Sequence, residues 1–141
     1  MFDRFFEWTR AVPKVFDPKT HEVLDHLTTG ALLLMGAAFW GRHRRASAVA
    51  LINGAFVLGL TLLTDYDGDG KRPISFRQHG ELDVMQAAMA AGLPTVLGFG
   101  RSWAALPLRL QAGNEMLVVS VTDYERRGTI ADERKLSSTA A

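Results

Sequence analysis

Charged residues are missing from three long stretches of the chain and nearly missing from a fourth. Residues 27–41, 46–64 and 84–100 contain no Asp, Glu, Lys or Arg, and residues 110–122 contain only Glu115. A helix that crosses a bilayer needs about 20 mostly apolar residues, and each stretch approaches this length when its flanking turns are added. The pattern therefore predicts an all-α protein, built as a bundle of four transmembrane helices.

Small residues are frequent inside these predicted helices. Glycine in a helix interior costs about 1 kcal/mol in water, whereas in a bilayer it lets neighbouring helices approach closely. Residues 46–64 also lack the polar stripe that a water-exposed helix requires. Both observations favour a membrane bundle over a soluble bundle buried in a larger assembly. Candidate packing faces contain Gly30 and Gly36 on the first helix and Ala87 and Ala91 on the third.

The chain repeats a pattern of polar residues at a spacing of 58 residues, the distance from position 21 to position 79. His21 and Asp25 recur as His79 and Asp83, and the tripeptide Thr-Asp-Tyr ends both repeats. The matched residues lie at the ends of the apolar stretches. The pattern predicts a two-helix hairpin used twice, with parallel repeats related by an axis along the membrane normal.

The predicted organisation has five segments. The two hairpin repeats span residues 19–66 and 77–124, and an Asp/Gly-rich loop at residues 67–76 joins them. Residues 1–18 are predicted to form an amphipathic helix, which lies either on the membrane surface or on the bundle itself. Residues 125–141 are predicted to be a polar tail.

Six His and Asp side chains of the repeats are predicted to gather at one membrane surface. Residues four apart share a helix face, and each hairpin returns to the side on which it began. Imidazole and carboxylate groups together ligate zinc, iron or manganese, so a divalent metal site is one interpretation. In the other, the histidines bond the carboxylates and pin the hairpin ends. The set is His21, Asp25, Asp65, His79, Asp83 and Asp123.

The loop between the repeats contains part of a calcium-binding pattern. Asp65, Asp67 and Asp69, followed by Gly70, match the first six positions of D-x-D-x-D-G. The bidentate glutamate expected at position twelve is replaced by Phe76. Because Asp/Gly runs also form turns without a metal, a weak calcium site and a plain turn are both open.

Three polar residues, Asn53, Asn114 and Glu115, are predicted to lie deep in the apolar helices. An ionisable group at such depth is a functional candidate because lipid penalises its charge, and Glu115 could then serve an ion or proton path. The alternative is internal bonding. Asn53 would then bond the fourth helix, and Glu115 would be protonated or paired with Arg109.

Composition narrows the possible functions. The chain has 16 Lys and Arg against 15 Asp and Glu, and this balance argues against a nucleic-acid partner. It has no cysteine, which excludes disulfides and Cys-ligated zinc or iron–sulfur clusters. The motifs G-x-S-x-G, G-x-G-x-x-G and H-E-x-x-H and the P-loop do not occur. An enzymatic function is therefore not indicated.

Residues 93–99, Leu-Pro-Thr-Val-Leu-Gly-Phe, resemble the S-P-W-x-L-G-F signature of the SPW-repeat membrane proteins, which are small bacterial proteins built of two-helix units. Leu93 and Thr95 replace the Ser and Trp of that signature, and the first repeat has Gly36 where the second has Pro94. The resemblance implies an integral membrane helical protein of unassigned role, with no catalytic residues to transfer. The family's asparagine on the following helix would correspond to Asn114.

Together these observations predict a small protein of the bacterial inner membrane. We expect a non-catalytic structural or accessory subunit, whose partners are the lipid bilayer and either further copies of itself or other membrane subunits. A metal-binding protein that uses the six His and Asp residues is one alternative, with a divalent metal as its cofactor. A small ion or proton transporter subunit is the other. The distribution of Lys and Arg favours termini in the cytoplasm.

Overall fold

The computed structural model of the protein describes Glu7, Thr9 and residues 11–126. Most of these residues are helical, which confirms the predicted all-α class. The amphipathic helix predicted for residues 1–18 falls largely outside the described residues, and residues 11–17 are not helical. The polar tail predicted for residues 125–141 also lies outside them beyond residue 126.

Four long helices and one short strand pair make up the described fold. A turn at residues 40–43 joins the first two helices, and residues 97–104 join the last two. The two strands pair in parallel, with Thr64 opposite Ile74. The elements are α1 (Pro18–Phe39), α2 (Arg44–Leu63), β1 (Thr64–Asp65), β2 (Ile74–Ser75), α3 (Phe76–Val96) and α4 (Ala105–Val121).

Corresponding helix ends in the two halves of the chain lie 58 residues apart. α1 begins at Pro18 and α3 at Phe76, while α2 ends at Leu63 and α4 at Val121. The backbone pairing follows the same offset, because the bridge between Thr64 and Ile74 is matched by a parallel bridge between residues 122 and 16. The two halves therefore share their helix boundaries at this end of the molecule.

The starts of α1 and α3 are fixed by equivalent side-chain caps. The Asp17 carboxylate accepts a hydrogen bond from the N–H of Thr20, and the Ser75 hydroxyl accepts one from the N–H of Gln78. Such caps satisfy N–H groups that have no partner within the helix. The Thr20 N–H bond lowers the pKa of Asp17, so this cap carries its negative charge at neutral pH.

The helices pack as two hairpins joined along one side. α1 packs along α2, α3 packs along α4, and a smaller interface joins α2 to α3. Gly36 permits the close approach in the first hairpin, because a Cβ atom there would lie 2.5 Å from the Leu51 side chain. Ala87 is buried in the second hairpin, whereas Gly30 has open space around it and Ala91 is exposed. Two of the four predicted packing residues are thus used inside the bundle.

Several large apolar side chains are exposed, and several polar side chains are buried beside the apolar core. Large apolar side chains project from the outer surface, among them Leu34, Ile52 and Leu110 at 73%, 66% and 65% exposure. In soluble proteins the interior is mostly apolar, but many polar side chains are buried in this bundle. They include His21, Asp25, Thr29, Ser47, Asn53, Thr61, Thr64, His79, Asp83, Gln86, Glu115 and Thr122.

By length and hydropathy, one helix in the described part of the chain qualifies as a membrane span. It is Arg44–Leu63, with a mean hydropathy of 2.0. The core helix of a soluble protein can have the same composition, so this helix alone is weak evidence for a membrane. α4 is 17 residues long, and α1 and α3 carry polar residues in their first turns. The four predicted spans are therefore not supported by hydropathy.

Candidate metal centre

Two histidines and two aspartates meet where α1 and α3 begin. His21 and Asp25 lie one turn apart on α1, and His79 and Asp83 occupy the equivalent positions on α3. All four side chains are buried. We refer to these four residues as the His/Asp cluster.

Each imidazole of the cluster contacts both carboxylates. The Nε2 atom of His21 lies 3.4 Å from Asp25 Oδ1 and 3.2 Å from Asp83 Oδ2. The Nε2 atom of His79 lies 3.0 Å from Asp25 Oδ2 and 3.1 Å from Asp83 Oδ2. The cluster therefore links the two hairpins through side chains supplied equally by each.

Two threonines determine which nitrogen of each histidine faces the carboxylates. Thr64 and Thr122 each donate their hydroxyl proton to the carbonyl four residues earlier, at 2.7 Å. Their oxygens are then free to accept from the Nδ1–H groups, of His79 at 2.8 Å and of His21 at 2.9 Å. Nδ1 therefore carries a proton in both rings, and Nε2 points to the carboxylates.

Two tyrosines donate to the carboxylates from outside the helices. The Tyr66 hydroxyl lies 2.6 Å from Asp25 Oδ2, and the Tyr124 hydroxyl lies 3.4 Å from Asp83 Oδ2. Burial and the nearby Asp25 charge raise the pKa of Tyr66. Burial and the nearby Asp83 charge raise the pKa of Tyr124 in the same way. Both hydroxyls consequently keep their protons and act as donors.

Aromatic packing closes the cluster. The Phe76 ring lies 5.4 Å from the His21 ring and 4.8 Å from the Tyr124 ring, measured between centroids. Gly80 leaves room for Tyr124, because a Cβ atom at position 80 would lie 2.6 Å from the tyrosine ring. These rings thus shield the histidine side of the cluster from bulk water.

The orientation of the imidazoles limits the chemistry of the cluster. A neutral ring with a proton on Nδ1 presents a lone pair at Nε2, and two lone pairs cannot bond two carboxylates. The cluster needs either additional protons, on the rings or on the carboxyl groups, or one divalent cation among the four groups. Ligand atoms of His21, His79 and Asp83 lie within 4.8 Å of one another, so this buried group could hold a metal ion.

Two of the six predicted metal-site residues lie away from the cluster. The Asp65 carboxylate accepts the N–H groups of Asp69 and Gly70, at 3.1 and 2.7 Å. The Asp123 carboxylate accepts N–H groups two and three residues further on, both at 3.2 Å. Both aspartates stabilise turns, so the structure brings together only His21, Asp25, His79 and Asp83 from the predicted set.

The aspartates of the predicted calcium loop use their carboxylates on separate partners. Asp65 binds backbone N–H groups of the turn. Asp67 pairs with Lys19 at 2.8 Å, and Asp69 pairs with Lys71 at 2.6 Å. Within the described residues, the three aspartates are not among the side chains grouped closely enough to hold a metal ion. The described geometry is that of a turn and not of a calcium site.

Asn53 and Asn114 differ from their predicted positions. Asn53 is buried as expected, but its Oδ1 accepts a hydrogen bond from Gln86 on α3, at 3.2 Å. The predicted bond to the fourth helix is therefore wrong. Asn114 is exposed, so the prediction that it lies deep in the bundle is wrong as well.

Glu115 is buried, with 3% exposure, as the sequence predicts. It accepts a hydrogen bond from Gln111 one turn earlier, at 3.1 Å. Arg109 does not pair with it but donates to the carbonyl of Gly100 and to the hydroxyl of Thr95, at 2.9 and 3.0 Å. Arg109 therefore closes the turn between α3 and α4, and the predicted pair with Glu115 is wrong.

The sequence reasoning missed four residues that support the cluster: Thr64, Tyr66, Thr122 and Tyr124. A signal for them was present, because the tripeptide Thr-Asp-Tyr occurs at both repeat ends. Only its aspartate was assigned chemistry. The structure gives the roles at the cluster to the two flanking residues instead.

In comparisons with known proteins, no family model, curated protein or solved structure matches this chain. The resemblance of residues 93–99 to the SPW-repeat signature therefore stays a prediction. The features that bear on function are the His/Asp cluster and the distribution of polar and apolar side chains.

Proposed function

We propose that this protein is a non-catalytic membrane subunit whose two helical hairpins are locked together by one divalent metal ion. His21, His79 and Asp83 serve as ligands, and Asp25 contacts both imidazoles as the fourth group. The observation that carries the proposal is the orientation of the histidines. Both Nε2 atoms face the carboxylates, while both Nδ1–H groups are occupied by threonine hydroxyls.

The placement in a membrane is supported by what the helices expose. The polar residues that lower the hydropathy of α1 and α3, such as Asp25, Asp83 and Gln86, are buried. Average hydropathy therefore understates how apolar the outer surface is. Ionisable side chains are rare in membrane helices, and those that occur face the interior of the bundle, as they do here.

The turn at the far end of the bundle has the composition of a membrane interface. Trp40 and Trp103 are both exposed there. Tryptophan concentrates at lipid headgroups. Arg42 and Arg101 lie in the same turns, and Arg44 and Arg45 begin α2 beside them. α4 is about 26 Å long at 1.5 Å per residue, which is slightly shorter than the apolar core of a bilayer. Exposed tryptophan and arginine at its end can anchor such a short helix at the membrane interface. The termini then lie at the opposite surface, and we place it in the cytoplasm because that side holds the larger number of Lys and Arg residues.

Zinc fits the distances and the charge of the cluster. A tetrahedral zinc ion with bonds of about 2.1 Å separates its ligand atoms by about 3.4 Å. The observed separations between histidine nitrogens and aspartate oxygens run from 3.0 to 3.4 Å. Two carboxylates neutralise the two positive charges of the ion, so the buried site carries no net charge. Iron and manganese use the same donors.

The surroundings of the site indicate a structural metal. Structural zinc sites are closed, whereas catalytic sites keep an open position. Here all four side chains are buried, and Tyr66, Tyr124 and Phe76 cover them. The threonine hydroxyls hydrogen-bond the histidines and the tyrosine hydroxyls hydrogen-bond the aspartates. Such contacts around the ligands of a metal fix their orientation and adjust its affinity. A metal that cross-links two hairpins suits a scaffold or accessory subunit better than an enzyme.

The test is the metal content of the protein after gentle detergent extraction. Elemental mass spectrometry on the size-exclusion peak should find about one zinc, iron or manganese ion per chain. His79→Ala and the isosteric Asp83→Asn should each lose the metal. His26→Ala is the matched control, because His26 is exposed on the same helix as His21, and it should keep the metal. Proteins that co-migrate in the peak would identify the assembly.

Each result has a definite reading. A folded wild-type protein without stoichiometric metal would overturn the metal lock, and so would site variants that retain the metal. Two imidazolium–carboxylate pairs would then join the hairpins, and an accessory role without metal would follow. Circular dichroism and elution volume show whether each variant is folded. Asp83→Asn preserves shape and therefore remains informative if His79→Ala does not fold.

A further inference from the structure

The bundle is open between its first and last helices. α2 and α3 pack against each other, but α1 and α4 make at most marginal contact. A groove of about 440 Å³ lies between α1 and α4. Under the 58-residue offset of the helix ends, the α2–α3 interface is the counterpart of this opening. One of two equivalent interfaces is therefore closed and the other is open.

The difference between the two interfaces comes from particular side chains. Asn53 and Gln86 hydrogen-bond across the closed interface. The equivalent positions are Gln111 and Thr28, which line the groove, and Gln111 donates its amide to Glu115 instead. The amide bridge that joins α2 to α3 thus has no counterpart between α4 and α1.

The open side also carries an acid that the closed side lacks. Glu115 lines the groove, whereas the equivalent position on α2 is Val57, a buried core residue. Asp25 of the His/Asp cluster lies at the same groove. No lysine, arginine or histidine is among the described residues that line it. The groove therefore offers the carboxyl oxygens of Glu115 and Asp25, and none of the described lining residues is cationic.

The rim of the groove is apolar and faces outward. Leu27 and Leu117 line it with 64% and 62% of their surfaces exposed, and in a membrane these residues would contact lipid. A volume of about 440 Å³ falls in the range of small-molecule sites, which run from about 300 to 1,000 Å³. A helix of another subunit, about 10 Å across, would need much more room.

We infer that the groove binds a small hydrophobic cation that enters from the lipid phase, with Glu115 as its counter-ion. An apolar rim around one buried polar anchor is the usual composition of a ligand site. The Glu115 carboxyl group can accept hydrogen bonds from an ammonium group, and a buried cation needs an opposite charge, which ionised Glu115 would supply. The inference uses the membrane placement proposed above but does not depend on the metal.

The probe is 3-phenylpropylamine, which is protonated at neutral pH, and its neutral control is 3-phenylpropanol. Isothermal titration of the full chain in mild detergent should show saturable binding of the amine at one site. The alcohol should bind at least about tenfold more weakly, and Glu115→Gln should weaken amine binding by a similar factor. Ala31→Trp should abolish binding because it fills the groove from α1. Ala38→Trp, on an exposed position of the same helix outside the groove, should bind like the wild type.

The inference fails if the amine shows no saturable binding, or if Glu115→Gln or the alcohol binds equally well. Equal binding of the alcohol would mean that a lipid tail or another neutral molecule occupies the groove. Ala31→Trp keeps the carboxylate and tests the site even if Glu115→Gln does not fold. Metal analysis on the same preparation separates the two proposals. If metal-free protein binds the amine, the groove site is supported and the metal lock is not. If the protein contains the metal but does not bind the amine, the metal lock is supported and the groove site is not.

Discussion

The threonine contacts of the His/Asp cluster give the sharpest test of the metal site. Thr64→Val replaces the hydroxyl that accepts the Nδ1–H of His79 with a methyl group of nearly the same size. The histidine remains in place, but its buried Nδ1–H loses its nearest acceptor, the Thr64 hydroxyl oxygen at 2.8 Å. The Tyr66 hydroxyl, at 3.3 Å, is a longer substitute that already donates to Asp25. The ring is then free to rotate or to change tautomer, and Nε2 is no longer fixed toward the carboxylates.

The size of the effect follows from the burial of this bond. His79 and Thr64 are both fully buried, so water cannot replace the missing acceptor. An unsatisfied buried donor costs about 1–3 kcal/mol. Loss of a group that orients a metal ligand lowers metal affinity by about 10- to 100-fold. Both estimates predict a weakening of zinc binding by one to two orders of magnitude.

The assay is competition for zinc with a chromophoric chelator in detergent solution. Thr122→Val should weaken zinc binding as much as Thr64→Val, because Thr122 holds His21 in the same way at 2.9 Å. Ser120→Ala is the control: its hydroxyl makes the same bond to a carbonyl four residues earlier, at 2.7 Å, and it is not at the cluster. Unchanged zinc affinity in both threonine variants would refute the assignment of Nε2 as the ligand atom.

Two further predictions concern stability. Gly80→Ala should lower the free energy of unfolding by about 1–3 kcal/mol, because the new Cβ would lie 2.6 Å from the Tyr124 ring. In Gly92→Ala, on the same helix, the new Cβ atom would meet nothing within 4 Å, so this variant should be as stable as the wild type or more stable. Thermal unfolding followed by circular dichroism compares the stability of the two variants. The pKa of Tyr66 is raised in the folded protein, so the folded state favours the neutral hydroxyl. This contribution to stability is fully present below the ordinary tyrosine pKa of about 10 and is lost as the pH rises above it. The midpoint of thermal unfolding should therefore fall above about pH 10, and this fall should be smaller in Tyr66→Phe; an identical fall would contradict the role given to the hydroxyl.

The helices and the core of the cluster could be predicted because each depends on a local pattern. The charge-free stretches mark α1 to α4, since a bundle helix with an apolar outer surface needs few charges along its length. His21 and Asp25 could be placed together because a spacing of four puts them on one helix face. Their recurrence at His79 and Asp83 indicated that two such faces would meet.

The support of the cluster could not be predicted, because it depends on backbone conformation beyond the helix ends. Thr64 has an extended backbone, and side chains alternate in direction along an extended chain. Thr64 and Tyr66 therefore share the buried side, and Asp65 points away from it. If the Thr-Asp-Tyr tripeptide is taken to be the last turn of a helix, its sequence does not indicate that the threonine and tyrosine, and not the aspartate, contact the cluster.

The depth of Asn114 and Glu115 was difficult to predict for another reason. Adjacent residues on a helix point about 100° apart, so both cannot face the centre of a bundle. The periodic pattern that would choose between them is weak on α4, which is apolar on its outer side as well. The partner of Asn53 depended in turn on which hairpin faces pack together, and that arrangement is a property of the assembled bundle.

The crossed threonine contacts bear on how such a chain could arise. His21 is held by Thr122 and His79 by Thr64, so neither hairpin completes the site with its own residues. Two separate copies of one hairpin, related by a twofold axis, could make all of these bonds between them. The present chain therefore has the form of a twofold dimer of hairpins joined into one polypeptide. In a single polypeptide the two halves can differ in sequence, and the unequal interfaces at α2–α3 and α4–α1 are a difference that a symmetric dimer of identical chains could not have.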